Sequence, residues 1–138
     1  MRLSQILVLA IAATVASAQT SSQRAPGAPA VPYTIVESRG GMRIAVIDSR
    51  NRTEKALRVL GDELRHDFAS GPIVIVGVFD SPKAAAMYDR MTDSPEVSLG
   101  RSADEFYDHH MVANYSSGDR SYHYWPNGAR GKQFDVKY

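Results

Sequence analysis

Ile73-Val74-Ile75-Val76-Gly77-Val78-Phe79 is apolar at every position, with Gly71-Pro72 before it and Asp80-Ser81-Pro82 after it. A short run without polar alternation suits a strand covered on both faces or seated at the centre of a sheet. The rest of the domain has to be arranged around that strand.

Two β-branched runs precede it, Tyr33 to Arg39 and Met42 to Asp48, separated by Gly40-Gly41. Paired glycines adopt the positive φ angles of a two-residue turn, so the segment reads as a hairpin. From Thr53 the period changes. Leu57, Leu60, Leu64 and Phe68 recur three or four apart, while Glu54, Lys55, Arg58, Asp62, Glu63 and Arg65 are expected to face away. This is an amphipathic helix with Thr53 as its cap and Gly71-Pro72 as its stop.

After the apolar strand, Ser81-Pro82 supplies a cap and a proline at the first helical position, opening a helix expected to run to about Met91. Ser102-Ala103-Asp104-Glu105 resembles a capping box for a short helical turn around Phe106 and Tyr107. The end of the chain reads as a meander of three strands: His110 to Tyr115, Tyr122 to Trp125 and Lys132 to Tyr138. Ser117-Gly118-Asp119 and Pro126-Asn127-Gly128 form its turns. The expected order is ββαβαβββ, an α+β fold of two layers in which a mixed sheet carries two main helices. The crossover between the second and third strands is parallel and right-handed.

The amino terminus belongs to a different regime. Met1-Arg2, the apolar run Ile6 to Ala13 and the small-residue ending Ala16-Ser17-Ala18 are the parts a signal peptidase reads. Residues 1–18 are expected to be a cleaved leader, which places the mature chain in the periplasm or outside the cell. Residues 19–32 are polar, small and proline-rich without apolar periodicity, as in a flexible tether. Residues 33–138 form one domain of common size.

Composition narrows the function classes. The leader removes only Arg2 from 16 basic residues against 15 acidic ones, leaving a formally neutral chain without the basic cluster that nucleic-acid binding needs. After cleavage no apolar run reaches the ~18 residues of a membrane span. With no cysteine in the chain, disulfides, thiol catalysis and Cys-ligated zinc are excluded. No cofactor motif is present.

Two constellations of ionisable residues stand out. The second and third strands end alike, in Ile47-Asp48-Ser49 and Phe79-Asp80-Ser81. As parallel neighbours they would bring Asp48 and Asp80 to one carboxyl edge, where two carboxylates could hold a divalent cation; equally, each could accept hydrogen bonds from the turn that follows it. His110 and His123 could meet across the meander as two imidazole ligands, although adjacent His109 and His110 on a strand would point to opposite faces. A metal-binding or metal-assisted hydrolase reading would use these four residues. Gly-x-Ser-x-Gly and His-Glu-x-x-His are absent.

Most of the seven tyrosines, and the single tryptophan, fall in the last third of the chain. Alternation puts Tyr122 and Tyr124 on one face and His123 and Trp125 on the other, so one aromatic face needs a covering layer and the other is free to meet a ligand. The sequence therefore points away from catalysis. It favours an exported binding domain that contacts a protein or glycan through the aromatic meander at Tyr122, Tyr124 and Trp125.

Overall fold

The computed structural model describes residues 31–89 and 100–138. The expected leader and most of the tether lie outside the described residues, and the helix that opens at Pro82, expected to run to about Met91, already ends at Ala85 with Ala86 as its C-cap. Six strands form one sheet in chain order: β1 (Tyr33–Arg39), β2 (Met42–Ile47), β3 (Ile75–Phe79), β4 (Met111–Ser116), β5 (Ser121–Tyr124) and β6 (Phe134–Lys137). β2 and β3 run parallel, and every other neighbouring pair is antiparallel. The α-helices lying wholly within the described residues are α1 (Glu54–Asp67), α2 (Pro82–Ala85) and α3 (Arg101–His110). This is the expected mixed α+β architecture, a sheet with two main helices packed against it.

Strand alternation decides which helix covers what. Along β2, Ala45 and Ile47 join the core beneath α1, while Ile44 and Val46 point to the other face and meet α2 and α3. β3 divides in the same way, with Val76 and Val78 on the α1 side and Phe79 on the other. The uniformly apolar strand is thus covered twice, as its composition demands. Leu57, Leu60 and Leu64 of α1 are fully buried, each stabilising the fold by about 1.5–3 kcal/mol.

α1 reaches across to β5 through one close approach. The Tyr122 hydroxyl donates to the Leu57 carbonyl at 2.6 Å, and a Cβ placed at Gly61 would stand 2.4 Å from Tyr122 Cδ1. Only glycine lets the helix lie that near the ring. Two of the three expected caps are present: Thr53 Oγ1 accepts from the Ala56 amide at 3.1 Å, and Ser81 Oγ accepts from that of Ala84 at 3.3 Å.

Several expectations need correction. Glu63 does not face away; it is buried, and its Oε1 accepts the Val31 amide at 3.3 Å. Val31, read as part of the tether, is itself in the core. The expected short turn around Phe106 is a ten-residue helix that starts after Gly100. Ser102 therefore sits within the first turn of α3 and does not cap it. His109 and His110 end that helix, and β4 begins one residue later, at Met111.

Candidate functional site

The carboxyl edge of β2 and β3 gathers the first set of expected residues. The parallel register pairs Val46 with Phe79, so the two strands deliver Asp48 and Asp80 to the same edge, where both border one shallow groove. Each carboxylate already has a cation. Asp48 accepts from the Arg50 amide at 2.9 Å and from its guanidinium at 3.1 Å, interactions that hold its carboxyl below the usual range. The Asp80 side chain is 3% exposed and lies 3.0 Å from Arg52 Nη1.

His110 meets Asp80 instead of His123. Its Nδ1 donates to Asp80 Oδ1 at 2.6 Å, from the last residue of α3. Arg52 completes the junction by donating from Nε to the Pro126 carbonyl at 2.8 Å. Four segments thereby converge on one buried carboxylate: the turn after β2, the end of β3, the end of α3 and the β5–β6 loop. A His–carboxylate bond of this form sets which ring nitrogen carries the proton.

The metal reading gains no support from this geometry. Guanidinium groups occupy the positions a cation would need, and the described residues contain no group of three or more potential ligands around a common point. His110 and His123 belong to different clusters, because a helix end carries the first and a strand the second.

The meander resolves into two unlike faces. Tyr122 and Tyr124, expected in a contact surface, are core residues at 0% and 3% exposure, stacked on each other with ring centroids 5.4 Å apart and packed beneath α1. The cause is the position of α1, which a strand pattern does not reveal. Their neighbours His123 and Trp125 point to the opposite face, where among the described residues no helix makes an extensive contact with β5 or β6. That face carries a connected polar chain. Trp125 Nε1 donates to Gln133 Oε1 at 3.0 Å, Gln133 Nε2 donates to Asp135 Oδ1 at 2.6 Å, and His123 Nδ1 donates to the same oxygen at 2.5 Å. The His123 and Gln133 bonds hold the Asp135 carboxyl below its usual range. Asn114 of β4 stands beside His123 in the register and extends the surface.

Sequence reasoning identified Trp125 and His123 as partners on one face, and the structure places them there. Alternation in the last strand also puts Gln133 and Asp135 on its wet face, but nothing in the sequence singles them out as site residues. Sequence reasoning missed Arg52, for which no spacing signal exists. No family model, curated protein or solved structure matches this chain.

Proposed function

We propose that this chain is an exported, non-enzymatic binding domain that takes a glycan on the outer face of its carboxyl-terminal meander. The observation that carries this reading is the solvent-facing array of Trp125, His123, Gln133 and Asp135, held among the described residues in one hydrogen-bonded chain. A sugar ring offers an apolar face for indole stacking and hydroxyls for carboxylate, amide and imidazole partners. Such groups recognise best when their own rotamers are already fixed, as here by mutual bonding. A protein partner would favour a more apolar centre than this face offers. Export rests on the leader pattern of residues 1–18, and the mature product is expected to begin at Gln19.

Trp125 is the sole tryptophan, so its emission reports on this face alone. Titrating the mature chain with neutral oligosaccharides of glucose and of N-acetylglucosamine should shift that emission saturably with one of the two series. His123→Ala should weaken the response about tenfold, a loss of about 1.4 kcal/mol, without lowering thermal stability. Emission that stays constant with both series, or an unweakened His123→Ala variant, would defeat the reading.

A further inference from the structure

On the other side of the molecule, the end of α1, the β4–β5 turn and the end of β6 border a half-open cavity of about 300 Å³. Arg65, Phe68, Tyr115, Ser117, Arg120 and Tyr138 contribute to its wall. Two features set it apart from an ordinary surface hollow. Among the described residues neither Arg65 nor Arg120 has a carboxylate at ion-pairing distance, and Arg65 instead lies 4.9 Å above the ring of Tyr138. The nearby Asp119 is committed elsewhere: its Oδ1 takes the Ser121 hydroxyl at 2.7 Å, and Lys137 stands 3.5 Å from its other oxygen.

The second feature is backbone conformation. Arg120 has φ of 54°, the only positive value at a non-glycine position among the described residues. A left-handed residue at the end of a tight hairpin turn is ordinarily glycine or asparagine, and a bulky side chain there costs about 1 kcal/mol. Arginine brings nothing to the turn that glycine would not do better. It brings a guanidinium to the cavity rim. Strain of this kind is characteristic of ligand sites.

We infer that this cavity binds a small organic anion, a carboxylate or phosphate ester on a flat apolar body. Arg65 and Arg120 take the charge, and Phe68 and Tyr138 face the body. Ser117 adds a donor: its oxygen accepts from the Val74 amide at 2.8 Å, which leaves its hydroxyl proton for the ligand. The site is separate from the meander's outer face and does not depend on the glycan reading.

Calorimetric titration of the mature chain with phenyl phosphate, benzoate and inorganic phosphate tests it. Phenyl phosphate or benzoate should bind with Kd in the range of about 1 mM or below, and more tightly than inorganic phosphate. Arg120→Gly relieves the backbone strain while removing the charge, so it should weaken binding about tenfold or more with no fall in Tm. Arg65→Gln should weaken it similarly, whereas Lys132→Gln, away from the cavity, should not. The inference is overturned if neither organic anion binds at about 10 mM. Unchanged affinity in Arg120→Gly, or inorganic phosphate binding as tightly as the esters, would overturn it too.

Discussion

Asp80 shows how one side chain can organise several loops. Its carboxylate is nearly inaccessible and is shared by Arg52 and His110, with Arg52 tied in turn to the Pro126 carbonyl. Removing one member of a buried charge pair leaves the other desolvated without compensation. Asp80→Ala is therefore expected to lower unfolding free energy by about 3 kcal/mol or more, read from urea midpoints. His110→Gln should cost less, because His110 is 23% exposed and its ring can be replaced by solvent. A small loss for Asp80→Ala would mean that the junction does not hold the loops. The aspartate itself was legible in the sequence as the end of a strand before a capped helix. Its partners were not, since Arg52 and His110 stand 28 and 30 residues away and nothing local links them.

At the level of elements, α1 sets the character of the carboxyl-terminal strands. Its close approach at Gly61 buries Tyr122 and Tyr124 and thereby turns His123 and Trp125 outward. Gly61→Ala should raise the intrinsic helix propensity by about 1 kcal/mol yet destabilise the protein, because the added methyl overlaps the Tyr122 ring. A net loss of about 1–3 kcal/mol in chemical denaturation is expected; a gain would show that the ring can move aside. The β1–β2 hairpin, α1 and β3 were all readable, because each has its own period and its own punctuation. α3 was foreshortened for an equally local reason. No glycine or proline separates His110 from Met111, so helix passes directly into strand and the histidines read as the start of the strand. The face assignment of the tyrosines depended on where α1 docks, a contact between residues about 65 apart in the chain.

For the whole molecule, tyrosine burial and turn chemistry set the limits of pH tolerance. Burial is the chief cause holding Tyr33, Tyr107, Tyr122 and Tyr138 above the ordinary phenol value of 10.0. The unfolded chain releases these protons first, so it binds fewer protons than the fold once pH passes that value. Their stabilising effect is complete below pH 10.0 and declines as pH rises beyond it. Asp119 acts at the opposite end. Hydrogen bonds from Ser121 and Ser116 bring its carboxyl from 3.8 down to about 2, so its contribution is present above 3.8 and disappears as pH falls towards 2. Thermal scans should show a plateau at neutral pH with a decline on both flanks. An alkaline flank that stays level above pH 10.0 would contradict the burial of these phenols.

The sheet order, in which every strand lies beside its predecessor in the chain, has a kinetic meaning. No strand has to be threaded between two that are already paired, so the sheet can lengthen at a single growing margin as the polypeptide emerges. β1 and β2 can zip locally, α1 then spaces the one parallel addition, and the last three strands close by short reversals. A chain delivered from its amino terminus could assemble in the sequence of its delivery, with the docking of Tyr122 on α1 as the late event that locks the two halves together.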